Sequence, residues 1–278
     1  PFQLVMAPLA GALSAGNVAA VKSSELAPFT SKIIKKILED TFQPEYVSIF
    51  EGGIPVSTAL LSQRFDFIFY TGNTNVGKII MEAAAKNLTP VALELGGKSP
   101  CIVDATADLP ISARRIAWGK LLNIGQTCIA PDYLLVHKSI KEKLIELLIL
   151  EIKKQYGENA GESSDYCRII NDRHFQRLCR LIDKSKVIYG GKTDKKMRYI
   201  EPTILDNVGL NDPVMKEEIF GPILPVITYE KIDEVVQIIK SMEKPLALYI
   251  FTGDKNMEIY IIKNVCFWGG CLNETLFH

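Results

Sequence analysis

Phe65-Asp66-Phe67-Ile68-Phe69-Tyr70-Thr71-Gly72-Asn73-Thr74-Asn75-Val76-Gly77-Lys78 is the stretch that decides the fold. The apolar run from Phe65 to Tyr70 reads as a strand and Gly72 marks a turn. From Thr74 to Asn87, Val76, Ile80, Ala83 and Ala84 recur at helical spacing, so these four are expected to face inward. Val91 to Leu95 returns to strand. A strand, a helix and a second strand need a crossover connection, which makes the two strands parallel. The same unit precedes it: Val18 to Val21 is strand-like, a helical pattern places Phe29, Ile33, Ile37 and Phe42 on one side, and Tyr46 to Phe50 is strand-like again. Repetition of this unit predicts an α/β fold with a parallel sheet covered on both faces.

The turn itself satisfies G-x-x-x-x-G-K over Gly72 to Lys78. A P-loop would then place a hydroxyl on Mg²⁺ at the next position, and Ile79 has none. The G-x-G-x-x-G fingerprint also fails, since Thr74 stands where its second glycine belongs. What survives is a glycine-bearing turn that leaves a strand and opens a helix, whose N-terminus favours a pyrophosphate. A plain strand-to-helix turn is the alternative.

Two further stretches carry chemistry: Glu94-Leu95-Gly96-Gly97 and Gly125-Gln126-Thr127-Cys128. A thiolate adds readily to a carbonyl, and a carboxylate can take the proton of a water that attacks the resulting acyl carbon. Alone, Cys128 reads as a small buried hydrophobe before it reads as a nucleophile, and Glu94 as a charge at a strand end. The glycines at 96, 97 and 125 permit close backbone approach at both places. Together the two stretches argue for one active centre.

Tyr70-Thr71-Gly72-Asn73-Thr74, Glu94-Leu95-Gly96-Gly97-Lys98-Ser99-Pro100, Gly125-Gln126-Thr127-Cys128 and Glu217-Glu218-Ile219-Phe220-Gly221-Pro222 stand in the order found in the aldehyde dehydrogenase superfamily, which this chain resembles over nearly its whole length. Cys128-Ile129-Ala130-Pro131-Asp132-Tyr133 and Lys244-Pro245-Leu246-Ala247-Leu248-Tyr249 look like its class-three and fatty aldehyde dehydrogenase branch. The resemblance implies an aldehyde dehydrogenase-like fold, with residues 1–96 the remainder of an NAD(P)-binding domain and 97–278 a C-terminally truncated catalytic α/β domain. It implies oxidation of a medium- or long-chain aliphatic or an aromatic aldehyde, with NAD as cofactor and NADP possible. Cys128 would be the nucleophile and Glu94 the base, with Glu218 the runner-up base. A backbone N–H at Cys128 would help hold the oxyanion. Gly72, Asn73, Thr74 and Gly77 match the family's cofactor turn. Lys22 and Glu25 match its adenosine-ribose contacts, although Ser23 replaces the usual proline. Glu218 matches the residue that holds the nicotinamide ribose, and Phe220 the one that packs near the nicotinamide ring.

The chain departs from the family at Val265 to Asn273, and the family's second oxyanion donor, an asparagine, falls just before Pro1. The apolar opening from Pro1 to Val21 mimics a signal sequence without a basic leader or Met, so the chain is expected to begin inside a longer protein; the resemblance implies that its full-length form is a homodimer. A non-catalytic fragment that keeps the dinucleotide fold is the alternative function.

Composition agrees with an ordinary enzyme. Thirty-two basic and 32 acidic residues are interspersed at zero net charge, giving no footprint for nucleic acid. Six cysteines without a close C-x-x-C pair, and three histidines, make a zinc site or disulfide framework unexpected and suit an intracellular, cytoplasmic setting. His137 and His174 read as surface or core residues. Leu144 to Ile152 carries Glu146 and Glu151 and falls short of the roughly 20 residues that a membrane span requires. In the second half, Asp108 is expected to cap a helix carrying Ile111, Ile116 and Leu122 that stops at Gly125, delivering Cys128 just past its end. Ser139 and Glu142 have capping-box spacing for a further helix.

Overall fold

The computed structural model describes residues 1–278, which divide into two compact units, Pro1–Leu95 and Gly96–His278. The first contains α1 (Phe2–Ser14), β1 (Ala19–Lys22), α2 (Pro28–Thr41), β2 (Val47–Phe50), α3 (Ile54–Leu61), β3 (Ile68–Thr71), α4 (Thr74–Ala85) and β4 (Val91–Glu94). The expected parallel pairing is present, with Ala19 opposite Val47 and Ile68 opposite Val91. It forms two separate two-stranded sheets in this unit, β1 with β2 and β3 with β4, in place of one continuous sheet.

Helix α2 turns a different face inward from the one its sequence suggests. Ser31, Ile34 and Leu38 are buried, and Phe29, Ile33 and Ile37 are exposed. The helix carries two apolar stripes about one residue apart, and periodicity alone does not say which one meets the sheet. Ile34 and Leu38 pack with Leu9 of α1 and Val47 of β2 into the small core of this unit. In α4 the inward set is Gly77, Ile80 and Ala84; Val76, in the first turn, is exposed and Ala83 is half-buried. Helix α1 has no counterpart in the sequence reading, because Pro8 inside it argues against a helix and its apolar residues lack a single stripe.

The second unit contains β5 (Pro100–Val103), α5 (Leu109–Leu121), β6 (Tyr133–His137), α6 (Lys141–Tyr156), α7 (Asp172–Leu181), β7 (Val187–Tyr189), β8 (Thr193–Asp194), β9 (Tyr199–Ile200), β10 (Thr203–Leu205), α8 (Pro213–Lys216), β11 (Ile223–Tyr229), α9 (Ile232–Lys240), β12 (Ala247–Phe251), α10 (Lys255–Asn264) and β13 (Gly269–Leu272). Seven strands form one sheet in the order β13-β12-β5-β6-β11-β10-β7, parallel except for β10 with β7. Its central strands are buried on both faces, as a parallel sheet between helices requires. Successive residues enter opposite cores: Ile102, Leu135 and Ile250 join one, Cys101, Val103, Leu134, Val136 and Tyr249 the other.

Asp108 caps α5 as expected, its carboxylate accepting the N–H of Ile111 at 3.1 Å. The helix ends at Leu121, however, before a tight turn in which Asn123, Ile124 and Gly125 all have positive φ. The capping box at Ser139 does not form: α6 begins at Lys141, and the Ser139 N–H donates to His137 Nδ1. The imidazole there competes successfully for the serine that the spacing assigns to the helix.

The choice of helix face in α2 has a measurable consequence. Leu38→Ala should cost about 2–5 kcal/mol, as for other buried leucines, and Ile33→Ala less than about 1 kcal/mol. Equilibrium urea unfolding of the two variants checks this, and equal losses would return the buried face to Ile33.

Candidate active site

In the first unit the predicted cofactor turn runs from the carboxyl end of β3 into α4. Asn73 is the N-cap, its side chain accepting the Val76 N–H at 3.0 Å, and its carbonyl takes the Gly77 N–H at 3.0 Å. The N–H groups of Thr74 and Asn75, first in the helix, have no intrahelical acceptor and lie at the positive end of its dipole. An anion such as a pyrophosphate fits that end. The glycines serve internal packing: a Cβ on Gly72 would overlap the Tyr70 phenol, and one on Gly77 would come 2.8 Å from Leu95 Cδ2.

Glu94 ends β4 with an exposed side chain, opposite Thr71. Its carbonyl accepts the Gly72 N–H at 3.0 Å, so the turn and the predicted base share one pair of strand ends. Lys22, the last residue of β1, and Glu25, just past it, form an ion pair of 2.7 Å. The hydrogen bond from Lys22 holds the Glu25 carboxyl below its ordinary range, so Glu25 is ionised at neutral pH. Ser23, between them, is buried and its hydroxyl has no partner, the local cost of a hydroxyl at that position.

In the second unit Cys128 is half-buried in the loop between α5 and β6. That loop is fastened on both sides of the cysteine. Gln126 accepts the Ile170 N–H at 3.0 Å and donates to the Arg168 carbonyl at 3.3 Å, while the Tyr249 hydroxyl donates to the Ile129 carbonyl at 2.5 Å. Gly125 has no room for a side chain, because a Cβ would run into the Gly221 carbonyl. The turn before Cys128 therefore lies against the loop that carries Glu218 and Phe220.

Glu218 is folded over the Gly96-Gly97 backbone. A Cβ on Gly96 would meet its carboxylate, with Cδ only 2.5 Å away, and the Gly97 N–H donates to it. Burial, followed by the nearby Asp132 charge, pushes the Glu218 carboxyl up to about 7, against smaller opposing effects from the Gly97 N–H, Arg177 and Lys98. Phe220 sits at φ +50°, a left-handed conformation that is strained for an aromatic residue. Four charged residues with no role in the sequence reading converge here: Lys98, Asp132, Arg177 and Lys120. Lys98 pairs with Asp132, and Arg177 donates to the carbonyls of Glu218 and Ile219 at 3.1 and 2.5 Å. Lys120 is fully buried, which pushes its ammonium down to about 8 against the attraction of Asp132. Lys98 and Asp132 lie inside motifs already singled out, and each adjoins a strand buried on both faces. A charge in that position is the signal that marks a buried pair.

The profile of the aldehyde dehydrogenase family matches residues 1–274. Aldehyde dehydrogenase family 3 member A2 of Mus musculus is 50% identical over 278 residues, covering 100% of this chain and 57% of the relative. The dimeric NADP-preferring aldehyde dehydrogenase of Mus musculus is 47% identical, covering 100% of this chain and 61% of the relative. Among solved structures, the substrate-bound state of Staphylococcus aureus AldH superposes with a TM-score of 0.98 at 47% identity, over 100% of this chain and 61% of that one. The chain thus spans about three-fifths of the length of the relatives it matches.

Glu218 has a pH signature. The unfolded chain releases this proton near 4.5 and the folded protein holds it to about 7. Its contribution therefore weakens stability as pH rises between those values, and the penalty is complete above them. Glu218→Gln should gain stability relative to the unmutated protein by roughly 1–3 kcal/mol more at pH 8 than at pH 5. Thermal unfolding at both pH values checks this; a pH-independent difference would mean that the carboxyl titrates normally.

Proposed function

We propose, on the premise that the chain belongs to the aldehyde dehydrogenase family, that it carries out the nicotinamide-dependent oxidation of an aldehyde to a carboxylate. The observation that carries this reading is the fastened loop that presents Cys128 beside the Glu218–Phe220 loop. The Cys128 thiolate adds to the aldehyde carbon and forms a tetrahedral thiohemiacetal. A bound nicotinamide dinucleotide supplies the hydride acceptor. Loss of hydride leaves a thioester on Cys128. Glu94 then takes a proton from water, whose oxygen attacks the acyl carbon, and collapse releases the carboxylate and the thiolate. The exposed position of Glu94 at a strand end supports this role, since a base for water must be reachable by water.

The residues present fit a dinucleotide. The open N–H groups of Thr74 and Asn75, on the turn that Gly72, Asn73 and Gly77 shape, would receive its pyrophosphate. Lys22 and Glu25 would hold the adenosine ribose, and Glu218 and Phe220 the nicotinamide end. The ionised Glu25 favours the 2′-hydroxyl of NAD over the 2′-phosphate of NADP, and Lys22, already paired with it, softens the repulsion. One of the relatives is named as NADP-preferring, so use of both cofactors belongs to this reading. A medium- or long-chain aliphatic or an aromatic aldehyde is the proposed substrate. A reducing compartment suits the thiol, and the full chain is proposed to act as a homodimer; the same relative is named as dimeric. No helix is long and apolar enough to cross a membrane.

In the full chain, Cys128→Ala should abolish aldehyde-dependent NADH formation and leave dinucleotide binding largely intact. Glu94→Gln should let an acyl-enzyme accumulate, visible by intact-mass spectrometry. Near-normal turnover without Cys128 would sink the mechanism, and a more damaging Glu218→Gln without acyl-enzyme build-up would move the base to Glu218. Glu25→Gln should raise the NADP-to-NAD ratio of kcat/KM; an unchanged ratio would remove Glu25 from the ribose site.

A further inference from the structure

The peptides around Glu218 are bound on every side by charged groups that the proposed chemistry does not use. Lys98 spends all three of its donors: one on Asp132, the others on the carbonyls of Val214 and Glu217, each at 2.9 Å. Asp132 is only 3% exposed, and its second oxygen accepts the Ile219 N–H at 2.8 Å. The backbone is thus held immediately before and immediately after Glu218. Arg177, from α7, takes the carbonyls of Glu218 and Ile219 and reaches the Glu217 carboxylate at 3.5 Å. A left-handed Phe220 follows directly, a conformation that persists only where its surroundings over-determine it.

The pair has an origin in the sheet. Pro100 of β5 is in register with Tyr133 of β6, so Lys98 and Asp132 occupy the ends where the two strands begin, and the Asp132 N–H donates to the Ser99 carbonyl at 2.8 Å. β11, which follows the Glu218 loop, is the other neighbour of β6. The clamp therefore ties the loop to the central strands of the sheet.

We propose that the buried Lys98–Asp132 pair, with Arg177 as its outer arm, positions Glu218 and Phe220 for the nicotinamide half of the dinucleotide. These three are positioning residues, acting through the backbone of the loop. The inference rests on the assignment of Glu218 and Phe220 to that half of the cofactor.

The test uses the full chain carrying Lys98→Met with Asp132→Leu, which removes both charges and leaves neither unpaired. Hydrogen exchange followed by mass spectrometry should show amides of residues 214–221 exchanging at least ten-fold faster, with those of β5 and β6 unchanged. The dissociation constant for NAD, read by quenching of protein fluorescence, should rise several-fold, and kcat should fall at least ten-fold with a smaller change in the aldehyde KM. If the double variant fails to fold, Arg177→Met gives the same readings, and Arg177→Lys should recover part of the loss. Unchanged exchange at 214–221 overturns the clamp. Faster exchange with unaltered NAD affinity and turnover overturns its positioning role. A protein whose unmutated form binds no NAD, while the clamp variants still loosen the loop, shows instead that the cofactor assignment has failed.

Discussion

A lysine and an aspartate, buried where two adjacent parallel strands begin, fasten the segment that carries Glu218. Removing two charges from water is costly, and such a pair is sustained only when its remaining donors and acceptors are also met. Here they are: Lys98 finds two carbonyls and Asp132 a backbone N–H. Those partners belong to the segment that carries Glu218. The groups that make the buried pair tolerable are thus the ones that fix the loop, and neither can be altered independently of the other.

The location of this cluster is unusual for an open α/β sheet, in which ligands generally bind beyond the carboxyl ends of the strands. In the first unit the proposed cofactor turn and base stand where that rule puts them: the Gly72 turn follows β3 and Glu94 ends β4. In the second unit the cysteine loop precedes β6 and the Glu218 loop precedes β11, at the amino ends. Loops entering strands have no helix N-terminus to order them. The structure supplies side chains in its place: Gln126 and Tyr249 for one loop, Lys98, Asp132 and Arg177 for the other. Burial at this place is the main reason why Glu218 holds its proton to about 7, with the Asp132 charge adding to it, and why Lys120 gives one up near 8 against the attraction of Asp132.

Much of this was legible in the residues. Alternation of strand and helix gave parallel pairing, Asp108 marked its helix start, and the order of four motifs identified the family. Legibility failed where a local pattern admitted two outcomes. Helix α2 has two apolar stripes, of which the sheet selected the one through Ile34 and Leu38. Ser139 had the spacing of a cap, but its N–H donates to His137 Nδ1. Gly72 and Gly77 read only as members of a turn, and that their missing side chains leave space to Tyr70 and Leu95 had no local signal.

The sequence by itself determined the fold class and the family, because periodicity and motif order are local properties that survive without knowledge of contacts. It also named Cys128 and Glu94 by residue type and setting, since the chemistry of a thiol or a carboxylate travels with the residue, and Glu218 through the family resemblance. Only the tertiary structure decided what surrounds them. Lys98 and Asp132 are 34 positions apart, and Lys98 lies 119 from the Glu217 carbonyl it holds. No local pattern encodes such distances; strand register sets them, and with them the burial that shifts a carboxyl by more than its own chemistry would allow.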